Sequence, residues 1–360
     1  MMRERKIKIL DSKPVELGYV FPPEWYPHTA TWFTWPRPEG ISFPDFYDRV
    51  PDALIGLIKH IVPRERVHIS VSNGNWQRIV EKEFTHNGCP MDNVRFFHIP
   101  SDEAWCRDHG PGFVLRKGRH GEMQAAIIDW DYNAWGHKYP RFEDDNLLPL
   151  RIAQALDLPA FQPNIVMEGG AIDVNGEGTL LTTESCLLNR NRNPHLSKRQ
   201  IENRLKAYYG QKKVIWLRSG IQGDDTDGHV DDFARFISPN KVVIAVEQDP
   251  RDENYAVLQE NLALLRQATD QDGVPLQIIE IPMPDIVEVK DQRLPATYAN
   301  FYFINGALLV PTYGDTKRDQ QAIEILQSHI NDRQVIGVDC RDLIWGLGAI
   351  HCLTQQQPAW

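Results

Sequence analysis

Brief apolar runs recur along the whole chain, while amphipathic helical patterns stand between only some of them. This spacing constrains the fold more than any other feature. Runs at 67–71, 94–99, 125–128, 214–217, 242–246, 276–281, 307–310 and 335–338 are short, rich in β-branched or aromatic residues and bounded by turn residues. Each therefore predicts a strand. Helical periodicity marks 52–61, whose apolar face is Leu54, Leu57, Ile58 and Ile61, and 197–209, where Ser197 and Gln200 form a capping-box pattern. Further helices are expected at 76–84, 146–156, 254–269 and 317–330. Often two strands accompany each helix. That is an α/β pattern, but helices are too few for a doubly wound sheet of 360 residues. The 25 prolines are dispersed, with no Gly/Ser-rich linker, low-complexity segment or close repeat, so one domain over 1–360 is expected.

Composition narrows the function. A 42% hydrophobic and 24% charged chain is neither a disordered tail nor a coiled coil. A net charge of −10 argues against a nucleic-acid partner and leaves room for a small cationic ligand. The cysteines are Cys89, Cys106, Cys186, Cys340 and Cys352. An odd count without a CxxC pair fits neither a disulfide framework nor a zinc knuckle. The opening residues 1–7 carry charge but no apolar stretch, and no run is long enough to span a membrane. The expectation is a soluble cytoplasmic protein with reduced thiols, compatible with a homo-oligomer.

Five segments combine Gly, carboxylates and His as loops at strand ends do: 102–112, 167–173, 224–232, 298–306 and 346–354. In the last, Cys352 follows the Gly346-Leu347-Gly348 turn, whose glycines would let backbone N–H groups approach a reacting centre. A cysteine taken alone is most often a buried, inert hydrophobe, and the other four keep that reading, with Cys106 the next candidate. Cys186 lies in a strand-like run. If 229–231 is extended, His229 and Asp231 share one face. That segment also reads as a solvated acidic loop, or as a His-x-Asp metal site without the further close-spaced ligands zinc prefers. Arg107 and Asp108 precede Gly110-Pro111, and Glu168 faces the Gly169-Gly170 turn. Each is weak alone. Together, one Cys, one His and three carboxylates suit a planar cation. Carboxylates grip guanidinium bidentately, a thiolate attacks its carbon, and His moves the proton to departing ammonia.

Ordered motifs carry a resemblance over nearly the whole chain. They include Pro22-Pro23-Glu24-Trp25, Trp105-x-Arg107-Asp108-x-Gly110-Pro111, Asn133-Ala134-Trp135-Gly136-x-Lys138-Tyr139 and Glu168-Gly169-Gly170. Asn189-Arg190-Asn191-Arg192-Asn193-Pro194, Asp225-Thr226-Asp227-Gly228-His229-Val230-Asp231 and Ile350-His351-Cys352 complete them. The sequence resembles the agmatine deiminase family, also called the Porphyromonas-type peptidylarginine deiminase family.

The resemblance implies a pentein fold: five ββαβ-like modules in a pseudo-fivefold α/β propeller, with the site at its centre. It implies hydrolysis of a guanidino to a ureido group without metal or organic cofactor. Carried over by position, Cys352 is the nucleophile and His229 the general acid and base. Asp108 and Asp231 grip the guanidinium, Glu168 orients and charges the histidine, Trp105 walls the channel and Asn300 lines the site. Two segments depart from agmatine-specific members, which usually read Gly-Gly-Gly-Asn before Ile-His-Cys and Asn after His-Val-Asp. Here stand Gly346-Leu347-Gly348-Ala349 and Asp232. The expected reaction converts agmatine to N-carbamoylputrescine and ammonia, as in putrescine biosynthesis. The alternatives are a free-arginine or protein-arginine deiminase of the same family, a metal-dependent amidinohydrolase using His229, Asp231 and Glu168, and an inactive guanidinium-binding protein.

Overall fold

Each of the eight apolar runs falls on a strand in the computed structural model, which describes residues 7–360. The charged opening read for a signal peptide lies, apart from Ile7, outside the described residues. The strands build five sheets of three or four strands and one small hairpin, Glu288–Val289 with Gln292–Arg293. The chain is mixed α/β.

Four sheets share one construction: an antiparallel pair, a crossover helix, and a third strand parallel to the second. Gly112–Lys117 and Met123–Ile128 are followed by helix Leu148–Leu156 and strand Ala160–Phe161. Ile172–Val174 and Thr179–Thr183 are followed by helix Lys198–Tyr209 and strand Lys213–Leu217. Ala234–Ser238 and Lys241–Val246 are followed by helix Glu253–Gln267 and strand Gln277–Pro282. Tyr302–Ile304 and Ala307–Thr312 are followed by helix Thr316–His329 and strand Gln334–Asp339. In the fifth sheet, His28–Thr34 and Arg66–Val71 flank helix Val50–Ile61 in the same way, and Val94–His98 adds an outer strand. Its antiparallel first strand, Gln355–Pro358, comes from the other end of the chain. The parallel pairs require such crossovers, because a tight hairpin cannot join parallel strands.

The helices form where the periodicity places them. Ser197 accepts from the Gln200 amide and completes the capping box, and the helix buries Ile201 and Leu205. Asp252 and Asp315 cap Glu253–Gln267 and Thr316–His329. Helix Val50–Ile61 buries Leu54, Leu57, Ile58 and Ile61, each contributing roughly 1.5–3 kcal/mol. An Ile58→Ala change there costs about 2–5 kcal/mol. No helix among the described residues is long and apolar enough to cross a membrane.

Two local expectations are corrected. Residues 229–231 are not a strand; Val230–Asp232 is a 3-10 turn, and the first strand of that sheet starts only at Ala234. Cys186 lies in the helical turn Glu184–Leu187, where Thr183 accepts from its amide and so ends the preceding strand.

Candidate active site

The chemistry-bearing residues occupy the segments that lead into the first strand of each sheet. Asp108 precedes Gly112–Lys117, Glu168 precedes Ile172–Val174, Asp231 precedes Ala234–Ser238, Asn300 precedes Tyr302–Ile304 and Cys352 precedes Gln355–Pro358. Each stands two to four residues ahead of its strand. The turns Ile350–Leu353, Cys106–His109, Gly169–Ala171 and Val230–Asp232 pack one on the next. That packing brings the groups together.

His229 is fully buried, with Nδ1 3.5 Å from Asp108 Oδ1 and 4.0 Å from Asp231 Oδ1. Gly170 makes this approach possible, since a Cβ there would lie 2.6 Å from His229 Nδ1 and 2.7 Å from Asp108 Oδ1. Burial works against a charged His229, but Asp108, Cys186 and Glu168 outweigh it and raise its pKa well above the ordinary value. Asp108 accepts from Trp135 Nε1 at 2.9 Å and from the Gly170 amide at 3.0 Å. Burial pushes its carboxyl up to about 6, with His229 opposing and Asp231 adding to the rise. Asp231 is held below the ordinary carboxylate range: burial opposes this, and the His351 hydrogen bond together with the charges of His351, His229 and Arg235 outweighs it.

Cys352 Sγ accepts from Asn300 Nδ2 at 3.2 Å and lies 3.9 Å from Asp231 Oδ2. Burial, then Asp231, Asp232 and Asp108, raise this thiol well above its usual pKa. Asn300 does more than line the site, because its Oδ1 also accepts from the His351 amide at 3.0 Å. Among the described residues, neither Asp231 Oδ1 nor Glu168 Oε2 has a hydrogen-bond partner. Buried polar atoms left unpaired cost free energy, so this arrangement favours a polar ligand that pairs with them.

The expected Glu168–His229 partnership takes a different form. Glu168 makes its ion pair with Arg192, Oε1 to Nε 2.5 Å, and acts on His229 through its charge rather than a hydrogen bond. Asp232, the departure noted above, accepts from Asn300 Nδ2 at 3.1 Å. Burial and the neighbouring Asp231 and Asp224 raise its pKa well above the ordinary value, which favours the neutral form that the amide of Asn would match.

A pocket of about 340 Å³ reaches Cys352 and Asp108. Its walls are Trp105, Trp135 and Tyr139, with Asp225, Thr226 and Leu347 beside them. Trp105 is the expected wall. Its Nε1 donates to Ser42 Oγ at 2.7 Å, and its ring lies where Cβ atoms of Gly346 and Gly348 would clash. Those glycines thus make room for the indole.

The sequence reading assigned no role to Trp135, Tyr139, Arg192, Glu24 or His351. All five lie in the quoted motifs, but nothing in periodicity or spacing gives a buried residue its partner. Trp135 is set by backbone strain: Ala134, Trp135 and His137 all have positive φ, near 50–64°. Asn133 steadies the turn by accepting from the Gly136 amide at 2.9 Å. Such strain costs about 1–3 kcal/mol per residue and concentrates at functional sites.

The metal alternative meets the same geometry. Among the described residues, the donor sets that converge within 4.8 Å are Glu168–Cys186–His229 and Asp231–Asp232–Cys352, not His229–Asp231–Glu168. The first has the Arg192 guanidinium against Glu168, and the second has an Asn300 N–H against Cys352. Neither fits a divalent cation.

The model of the Porphyromonas-type peptidyl-arginine deiminase family matches residues 20–358. An agmatine deiminase of Medicago truncatula is 36% identical over 97% of this chain and 99% of its own. One from Pseudomonas fluorescens is 37% identical over 97% and 98%. The solved agmatine deiminase of Enterococcus faecalis superposes with a TM-score of 0.89 at 32% identity, covering 98% of this chain and 99% of that one.

Proposed function

The chain belongs to the Porphyromonas-type peptidyl-arginine deiminase family, and from that premise we propose that it hydrolyses agmatine to N-carbamoylputrescine and ammonia through a covalent intermediate on Cys352. The observation that carries the reading is the meeting of Cys352, His229, Asp108 and Asp231, of which Cys352 and Asp108 line an aromatic-walled pocket. The similar sheets and their shared entry segments support five modules around a pseudo-fivefold axis, one domain with the site at its centre.

Agmatine enters guanidinium first. Asp108 and Asp231 pair with its N–H groups and set the central carbon over Cys352 Sγ. The bound cation lowers the cost of ionising the thiol, whose proton passes to solvent, and the thiolate forms a C–S bond to that carbon. His229 gives its proton to one nitrogen of the tetrahedral adduct, the C–N bond breaks, and ammonia leaves. The S-linked amidinium is then attacked by water as His229 takes up a proton. Collapse of the second adduct breaks the C–S bond, returns the thiol and releases the ureido product.

Asp225 stands beside the pocket, paired with Lys138 Nζ at 3.4 Å, and its carboxylate is the group there that the far ammonium of agmatine would meet. A ureido-product assay across agmatine, arginine and a C-terminal-arginine peptide tests this. Agmatine is expected to give the highest kcat/KM, and a higher value for either rival overturns the substrate assignment. Cys352→Ala should abolish turnover while retaining agmatine binding; steady-state deimination by that variant overturns the nucleophile assignment.

A further inference from the structure

We propose that His351 is a positioning residue, clamped between Glu24 and Asp231 so that both ring nitrogens donate, and that this clamp fixes Asp231 with Oδ1 facing the substrate. The proposal rests on the guanidinium-gripping role assigned to Asp231 above. His351 Nδ1 lies 2.6 Å from Asp231 Oδ2 and Nε2 lies 2.7 Å from Glu24 Oε2. All three side chains are buried. An ionised carboxylate only accepts, and a neutral imidazole has one donor and one acceptor. Two carboxylates on one ring therefore require an N–H on both sides.

Glu24 is held in its ionised form by its surroundings. Arg107 Nη2 stands 3.2 Å from Oε2, Arg235 Nη2 stands 3.0 Å from Oε1, and the Phe303 amide donates to Oε1 at 2.9 Å. With two guanidinium groups on it, Glu24 keeps its negative charge and the proton stays on the ring. At the other end, Asp231 Oδ2 is committed to His351, and Oδ1 has no hydrogen-bond partner among the described residues. The carboxylate is thereby locked in rotation, with one oxygen left for an incoming N–H. The same residue anchors the nucleophile's turn, since the His351 amide donates to Asn300, which also bonds Cys352 Sγ. One side chain thus couples the cation seat to the thiol.

The test uses two isosteres that keep one nitrogen each. Asn places its amide nitrogen near the position of Nδ1, and Gln near that of Nε2. His351→Asn should keep KM for agmatine within about threefold, whereas His351→Gln should raise it about 10- to 100-fold, the range for a lost charge-assisted hydrogen bond. In both, kcat should fall less than kcat/KM does in His351→Gln. Equal effects of the two variants, or a milder effect of Gln, overturn the proposal, because a merely space-filling ring would not distinguish them. A second measurement needs no substitution at this position. Nitrogen-15 NMR of the ring in the unsubstituted protein, assigned by its shift in Cys352→Ala, should show both nitrogens protonated at neutral pH. A single protonated nitrogen overturns the clamp. If the unsubstituted protein releases no ammonia from agmatine, the deiminase reading fails, and the NMR result still decides the clamp.

Discussion

Ionisation of Cys352 should be switched by the substrate itself. In the free chain the thiol is surrounded by burial and by Asp231, Asp232 and Asp108, all of which oppose a thiolate. A guanidinium in the seat adds one positive charge at near-attack range. At about 3.5 Å and an effective dielectric of about 20, Coulomb's law gives roughly 5 kcal/mol of stabilisation for the thiolate. Each 1.4 kcal/mol is a factor of ten, so the ionisation constant should rise by about three orders of magnitude. The assay is a pH titration of thiolate ultraviolet absorbance, with Cys352→Ala subtracted to remove the four other cysteines. The titration is repeated with saturating n-pentylammonium, which places a cation in the seat without an electrophilic carbon. The thiolate should form at markedly lower pH with the ligand bound. Superimposable curves, with binding verified independently, would refute substrate-assisted activation.

Three further outcomes follow from the same geometry. Because Asp108 titrates at about 6, kcat/KM should fall as pH drops through that value and the grip on the cation is lost; Trp135→Phe removes a bond to the ionised form, so the acid limb should move to higher pH, read from pH–rate profiles. The sign for stability is opposite. A carboxyl whose folded pKa exceeds its unfolded value takes up a proton more readily in the fold, so this group favours folding more as pH falls from about 6 toward the ordinary carboxylate range. Because burial and its acidic neighbours favour the neutral form of Asp232, Asp232→Asn should leave kcat/KM at neutral pH within about threefold, under the roughly 1 kcal/mol of one neutral hydrogen bond; a loss above tenfold in steady-state kinetics would mean the carboxylate form is required. Gly170→Ala puts a methyl 2.6 Å from His229 Nδ1, 2.7 Å from Asp108 Oδ1 and 3.1 Å from Asp231 Oδ1. It should cost at least about 100-fold in kcat/KM, with the roughly 1–3 kcal/mol of overpacking visible in denaturant unfolding.

The elements were more legible in the sequence than the partners. Helices 197–209 and 254–269 announce themselves because capping and an apolar stripe are local properties, and the structure ends them within two residues of the pattern. The shorter strands Ile172–Val174 and Tyr302–Ile304 are too brief for alternation to register, and they exist because a sheet partner supplies their bonds. The residues 229–231 read as extended because alternation of His and Asp suits a strand; the structure makes a turn there, yet it still aims both side chains at one site. Cys352 and His229 could be nominated from residue chemistry, but only the resemblance implied that they act as a set. Glu24 and Arg192 could not be nominated at all, because a Glu in a Pro-rich segment and an Arg in a polar loop look solvated until the fold buries them.

The absence of a visible repeat has a physical cause. Five sheets of one construction ask only for apolar residues at strand and helix positions, and many sequences meet that demand equally. Identity is fixed instead in the entry turns, and there the five positions must differ. One turn supplies a thiol, one a carboxylate with an indole donor, one a His and a second carboxylate, one an acid paired to Arg192, and one an amide. On the proposed function, a guanidinium has distinct needs at its carbon, at its N–H edges and at its leaving nitrogen, so copies of a single turn could not serve it. On the proposed five-module reading, a regular scaffold carrying unlike entry turns accounts for a sequence without a repeat.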